Sequence, residues 1–188
     1  DLHVRSRRQR QMCIRDRHIG GLAGFIAKSE IKNCFVTGLK VNIEEGNVYV
    51  GIGGVVGYES DVSKITNCIA EGSINADGDN IGGIAGKIKV SSNIENSISK
   101  VNITGSSDVL GGIVGIKEDT VSSVINNLSL GNLYSSKNGI QGKSIIHSGT
   151  DNINNNYYYE GQKINGISVG KKDYGLSLIH ISEPTRLA

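Results

Sequence analysis

IGGIAGKIKVSSNIENSISKVNITGSSDV, residues 81–109, is one copy of a unit that recurs through the middle of the chain. Each copy opens on a glycine-rich run and continues to an aliphatic-x-Asn signature. The openings are IGGLAG at Ile19, IGGVVG at Ile52, IGGIAG at Ile81, LGGIVG at Leu110 and a degraded NGIQG at Asn138. The signature asparagines are Asn33, Asn67, Asn96, Asn126 and Asn155, spaced 34, 29, 30 and 29 residues apart. This period indicates a stack of units in which none buries its core alone.

Aliphatic residues within a copy alternate with small or polar ones over short runs. This is the period-two pattern of a strand and not the 3.6-residue period of a helix. Each copy therefore predicts about three short strands of about 4–6 residues. A propeller blade needs four strands and about 40–50 residues, whereas these copies are spaced near 29 residues. The sequence thus predicts an all-β fold, a right-handed parallel β-solenoid (β-helix) of about five coils with about three short strands per coil.

The glycines and asparagines of the unit have structural explanations. The GG-aliphatic-x-G run puts residues without a Cβ at a tight corner, where a positive φ or close backbone approach is required. Asn tolerates the left-handed conformation at a bend, and stacked amides can bond to the copies above and below. We therefore predict an Asn ladder. Cys34 and Cys68 follow the first two of these asparagines; an inward-facing rung is the favoured interpretation, with a disulfide between coils as the alternative.

The two ends of the chain do not share the repeat. Residues 1–17 and 176–188 hold the only Pro, the only Met and a cluster of arginines. A codon string that resembles a sequencing-library adapter, CGT CGG CAG CGT CAG ATG TGT ATA AGA GAC, translates to residues 7–16, and residues 176–186 match the opposite arm. We predict that both ends are adapter-derived, non-native tails. Residues 18–153 are then the solenoid repeats, and residues 154–175 are a terminal or capping segment.

Setting the tails aside changes the electrostatic interpretation. The whole chain has 20 Lys+Arg against 18 Asp+Glu, a net charge of +2. The tails hold seven Arg, two Asp and one Glu, so 13 basic and 15 acidic residues remain, a net charge of −2. We therefore expect no basic face for nucleic acid. No apolar run approaches the roughly 20 residues that cross a bilayer.

No motif in the sequence predicts catalysis. There is no HExxH, GIQGKS at 139–144 lacks the first glycine of a phosphate-binding loop, and VGIGGVVG at 50–57 lacks the dinucleotide-loop spacing. Asp77 and Asp79 offer oxygens, but Ca²⁺ wants six to eight ligands, and no other copy repeats the pattern. We expect no enzyme activity, no catalytic, cofactor-binding or metal-binding residues, and no cofactor.

The repeat resembles the GLUG motif. The resemblance rests on the four intact openings, each followed by I-x-N-C or a relative and then by a Gly-plus-aliphatic strand, and it covers His18 to about Tyr159. GLUG repeats occur in bacterial cell-surface and secreted proteins, including regions upstream of the catalytic domain in IgA-specific metallopeptidases. The resemblance implies an extracellular or cell-surface location. It also implies a non-catalytic repeat region that acts as a stalk, a spacer or an adhesive surface.

Two alternative functions stay open at this point. The first is an accessory region of a secreted metallopeptidase whose catalytic domain is absent from this chain. The second is a carbohydrate-binding or carbohydrate-active β-helix, which would need carboxylates converging on one face if it were an enzyme. The partners implied are the neighbouring repeats of the chain and a host or cell-surface protein or glycan, with no nucleic acid and no membrane span.

Overall fold

The computed structural model describes residues 18–43, 50–107, 109–136, 142–149, 151–159 and 161–165, together with the backbone of 167–168. Both predicted tails lie outside these residues, and so does most of the degraded NGIQG run. The described residues form 22 β-strands and no helix.

Four sheets run along the described part of the molecule, and each of the first four turns of the chain adds to all four in sequence. Sheet A contains β1 (His18–Gly20), β5 (Gly51–Gly53), β9 (Asn80–Gly82) and β13 (Val109–Gly111). Sheet B contains β2 (Ala23–Ala27), β6 (Val56–Ser60), β10 (Ala85–Ile88), β14 (Val114–Lys117) and β18 (Ile146–Ser148). Sheet C contains β3 (Glu30–Lys32), β7 (Lys64–Thr66), β11 (Asn93–Glu95), β15 (Ser123–Ile125) and β19 (Ile153–Asn154).

Sheet D holds the longest strands and closes each turn. Its members are β4 (Phe35–Ile43), β8 (Ile69–Ala76), β12 (Ile98–Gly105), β16 (Leu128–Ser129), β17 (Leu133–Ser135), β20 (Tyr157–Tyr158), β21 (Lys163–Ile164) and β22 (Ile167–Ser168). The described strands all pair in parallel except β21 and β22, which are antiparallel at the end of the sheet.

Pairing keeps equivalent residues of successive turns directly above one another. In sheet C, Ile65, Ile94, Val124 and Ile153 form one row. The first three are fully buried, and a second row, Ile74, Ile103 and Leu133, lines the inside of sheet D. The core is therefore a narrow column of stacked aliphatic side chains, and the predicted parallel β-solenoid is confirmed.

Each of the first three turns has four strands where the sequence predicted about three, the fourth has five because its sheet D segment is divided into β16 and β17, and a partial fifth turn follows. The cause of the fourth strand is the Gly-Gly corner, where the chain bends at Gly54–Val55 and splits IGGVVG into two strands. The position predicted for the fifth opening, NGIQG at Asn138, is also wrong. Gly111 pairs with Lys143 and Val114 with Ile146, so residues 142–147 take the place of LGGIVG.

Glycine rows allow sheets A and B to meet backbone to backbone. A Cβ added to Gly53 would lie 2.0 Å from the carbonyl oxygen of Val56, and one added to Gly57 would lie 2.5 Å from the backbone nitrogen of Ile19. Both distances are far inside van der Waals contact. None of the glycines in the four intact openings has a positive φ, so close backbone approach, and not a left-handed conformation, is what requires glycine here.

The signature asparagines adopt the left-handed conformation that the sequence predicted. Their φ angles are 55° at Asn33, 53° at Asn67, 52° at Asn96, 58° at Asn126 and 52° at Asn155. The predicted ladder of amides is wrong beyond its first step, in which Asn67 Nδ2 donates to Asn33 Oδ1 at 3.1 Å. No other amide pair of this row is bonded among the described residues, because these side chains are exposed at the bend.

A buried polar ladder stands one residue further along the chain. Its rungs are Cys34, Cys68, Ser97, Asn127 and Asn156. Ser97 Oγ accepts from the backbone N–H of Cys68 at 3.2 Å, and Asn127 Oδ1 accepts from that of Ser97 at 2.9 Å. Asn156 Oδ1 then accepts from the backbone N–H and the Nδ2 of Asn127 at 2.9 and 3.0 Å. Cys68 is fully buried and Cys34 is half-buried, which confirms the inward-facing rung.

Replacing Gly83 by Ala should destabilise the solenoid strongly. The new Cβ would lie 2.2 Å from the carbonyl oxygen of Gly112 in the next turn, and that backbone is fixed by the hydrogen bonds between turns. We expect the free energy of unfolding, measured by urea denaturation, to fall by about 2–4 kcal/mol. Ser73→Ala, on the exposed face of sheet D, should change it by less than about 0.5 kcal/mol. Equal losses in the two variants would contradict this explanation.

Candidate functional site

The outer side of sheet B carries an aromatic cluster. Strand pairing puts Phe25 beside Tyr58, and Tyr58 beside Lys87. The ring centroids of Phe25 and Tyr58 are 5.2 Å apart, and His18 from sheet A lies 4.9 Å from Tyr58. Lys87 Nζ lies 5.2 Å from the Tyr58 ring centroid, within the range of a cation–π contact. We call His18, Phe25, Tyr58 and Lys87 the aromatic face.

Charged side chains border the aromatic face on one side. Glu118 forms ion pairs with Lys87 at 2.7 Å and with Lys89 at 3.5 Å. Phe25 is 48% exposed, so its ring is accessible from solvent beside these charges. The face therefore combines apolar ring surface with groups that can donate and accept hydrogen bonds.

The repeat itself does not dictate which residue occupies this row. The position directly after the third glycine of each opening faces outward, and successive turns place Phe25, Tyr58, Lys87, Ile116 and Ser148 there. Sequence reasoning missed the cluster because this position varies between copies. The available signal was an aromatic residue directly after the third glycine in both of the first two copies.

A second surface feature runs along sheet D. One outward apolar residue per turn is aligned by strand pairing into a single row, Phe35, Ile69, Ile98, Leu128 and Tyr157. Phe35 is 57% exposed, and the other four are half-buried. This row is part of the repeating unit, whereas the aromatic face belongs to the first three turns.

Beneath the aromatic face, the side chain of Glu59 is fully buried in the core. Its partners on the adjacent strands are Ile26 and Ile88, and neither carboxylate oxygen accepts a hydrogen bond. Burial raises the pKa of Glu59 to about 8. The backbone N–H of Asn93 acts in the opposite direction, but its hydrogen bond goes to the carbonyl oxygen of Ser63 at 3.0 Å. The carboxyl therefore keeps its proton at neutral pH.

The residues considered for metal or phosphate binding lie apart from one another in the stack. Asp77 Oδ1 accepts from the backbone N–H of Ser106 at 3.1 Å and from its Oγ at 2.5 Å, which ties two turns together. Lys143 and Ser144 stand at the A–B corner of the fifth turn, with Ser144 fully buried. Within the described part of the chain, no three His, Cys, Asp or Glu side chains are grouped so that they could hold a metal ion.

The described residues include no helix long and apolar enough to cross a membrane. Carboxylates do not converge on the aromatic face, where Glu118 is already paired with two lysines. The aromatic face can present a surface to a ligand.

Comparison with protein families identifies a motif at the start of the stack. The family model Glug, the GLUG motif, matches residues 16–42, a span that ends within β4 and whose described part is the first turn. The chain therefore carries a GLUG motif, and the turns stacked on it in register repeat the same unit. Comparison with curated proteins and with solved structures gives no match.

Stability should fall as pH rises, because Glu59 is buried without a hydrogen bond. The folded protein holds this proton up to about pH 8, whereas the unfolded chain releases it near the ordinary pKa of 4.5. Between these two pH values the folded state binds more protons than the unfolded chain. The resulting contribution to the free energy of unfolding is fully present below pH 4.5 and is lost as the pH rises past 8. The loss amounts to at most about 5 kcal/mol.

Urea denaturation of the wild type and of Glu59→Gln at pH 5, 7 and 9 checks this expectation. Gln has nearly the same shape as Glu and does not titrate, so the free energy of unfolding of the variant should depend much less on pH. Parallel profiles for the two proteins would show that Glu59 is not the titrating group.

Proposed function

We propose that this region is a non-catalytic β-solenoid stalk or spacer of a secreted or surface-attached bacterial protein. The observation that carries the proposal is the parallel pairing of successive turns in four sheets along the stack. Each turn adds about 4.8 Å of length and contacts only its neighbours. The length of a region built in this way is set by its number of repeats, so it can hold its two ends at a fixed distance. This role requires no catalytic residue.

The location is supported by the GLUG motif in the first turn. The resemblance places such repeats in bacterial cell-surface and secreted proteins, beside different activities. An accessory region of a secreted metallopeptidase is one setting in which a spacer of this kind would serve. The spacer role is the same in either setting, since it depends on the stack and not on the neighbouring domain.

A second candidate function is carbohydrate binding by the aromatic face, which would make the region adhesive. The C–H side of a sugar ring packs on aromatic surface, as the exposed ring of Phe25 and the half-buried ring of Tyr58 would allow. Lys87 and Glu118 stand beside these rings, where they could bond to sugar hydroxyl groups. An apolar platform with a few polar groups at its border is what binding of a sugar requires.

Insertion of whole turns tests the spacer function. Two further copies of residues 81–109, inserted after Val109, should fold with the same register and lengthen the particle by about 10 Å. Small-angle X-ray scattering gives the maximum dimension, and circular dichroism with thermal melting reports whether the protein stays folded. Insertion of the half-turn 81–95 is the matched control, and it should destabilise the protein because it breaks the register. A protein that unfolds with whole turns added, or does not lengthen, would refute the spacer role.

Binding to insoluble polysaccharide tests the adhesive function. Wild-type protein should be depleted from solution by cellulose or chitin particles. The double variant Phe25→Ser, Tyr58→Ser should bind at least tenfold more weakly, and Ser148 in the same row shows that serine fits there. Phe35→Ser, which removes an exposed ring from sheet D, should bind as wild type does. Absence of binding to both particles, or equal loss in the Phe35 variant, would reject this function.

A further inference from the structure

Cys34 and Cys68 occupy the same rung in adjacent turns. Lys32 pairs with Thr66 on one side of them, and Phe35 pairs with Ile69 on the other. The backbone N–H of Ile69 donates to the carbonyl oxygen of Cys34 at 2.9 Å, which holds the two chains together at this point. The two cysteines are therefore direct neighbours along the solenoid axis.

The spacing of this rung fits a disulfide. Adjacent strands lie about 4.8 Å apart, and disulfides span Cα separations of about 4.4–6.8 Å. Both side chains are oriented alike, since Cys34 Sγ lies 3.4 Å from the carbonyl oxygen of Lys32 and Cys68 Sγ lies 3.2 Å from that of Thr66. These contacts use weak S–H donors, so little hydrogen-bond energy is lost when the two sulfur atoms rotate toward each other.

The cysteine rung differs from the later rungs of the ladder in how it connects adjacent turns. Ser97, Asn127 and Asn156 each bond to the preceding rung through a side-chain oxygen, in contacts of 2.9 to 3.2 Å. Between the first and second turns both residues are thiols, which are free in this structure. A covalent bond there would take the place that hydrogen bonds occupy in the later turns.

We propose that Cys34 and Cys68 are a disulfide-forming pair that joins the first and second turns when the protein meets a small-molecule or protein disulfide as oxidant. This inference goes beyond the spacer function and does not depend on it. The bond would close the segment 34–68 into a loop and stabilise the protein mainly by restricting the unfolded chain.

The reaction balances as two thiol–disulfide exchanges. The thiolate of Cys34, the more exposed residue, attacks one sulfur of the oxidant, here glutathione disulfide, and releases one glutathione. Cys68 then loses its proton and attacks Cys34 Sγ, releasing the second glutathione. The two cysteines lose two electrons and two protons in total, and one glutathione disulfide becomes two glutathiones.

Burial raises the pKa of the Cys68 thiol, and the neighbouring thiol of Cys34 adds to the effect. The second exchange should therefore be slow at neutral pH and faster at pH 9, because the thiolate is the attacking species.

Oxidation of the folded 188-residue chain tests the proposal. Cys13 lies outside the described residues, so every protein carries Cys13→Ser. After prolonged incubation with glutathione disulfide at pH 7.5, below the pKa of Glu59, the intact mass should fall by about 2 Da, and no thiol should react with iodoacetamide. Non-reducing peptide mapping should find residues 34 and 68 in one linked peptide pair. The melting temperature should rise by about 5–10 °C relative to the reduced protein.

Cys68→Ser is the matched control, because Ser97 occupies the same position in the third turn. This variant should gain at most one glutathione at Cys34 and show no rise in melting temperature. Two reactive thiols after oxidation of the parent protein, a persistent glutathione adduct at Cys34, or a disulfide-linked dimer would each overturn the proposal.

Discussion

At the glycine rows, sheets A and B approach each other through backbone atoms, and the rest of each turn is arranged around this contact. Gly57 approaches Ile19, and Gly86 approaches Ile52, so closely that no side chain fits between the two sheets. The fifth turn departs from this pattern, since His147 stands where the fourth turn has Gly115.

The interior of each turn is narrow, and the composition follows from that. The core is filled by stacked aliphatic side chains from all four sheets, and aromatic residues make up 5% of the chain. The remaining buried positions near the bends are short polar side chains, which satisfy backbone N–H groups of neighbouring turns. Hydrogen bonds between turns therefore help to stabilise the stack at positions where a globular domain would pack large apolar side chains.

The features that recur with the repeat could be predicted from the sequence, because the same residue pattern appears in every copy and each copy supports the same interpretation. Period, strand type and the left-handed bend at the asparagines all follow from residues that every turn shares. Features that depend on exact geometry could not be predicted. The Gly-Gly bend splits one predicted strand into two, and the buried ladder lies one residue beyond the asparagines, at a position occupied by Cys, Ser or Asn. The aromatic face was missed because its row is not conserved between copies.

The outward row after the third glycine holds Phe, Tyr, Lys, Ile and Ser in successive turns of one continuous stack. Side-chain identity at this position is thus uncoupled from folding, while its location is fixed by the register. Unequal recombination between repeats within the gene would add or remove whole turns of the solenoid. Binding residues would then move along the stack in steps of about 4.8 Å. Such a surface can change its length and its chemistry separately, one by duplication and the other by point substitution.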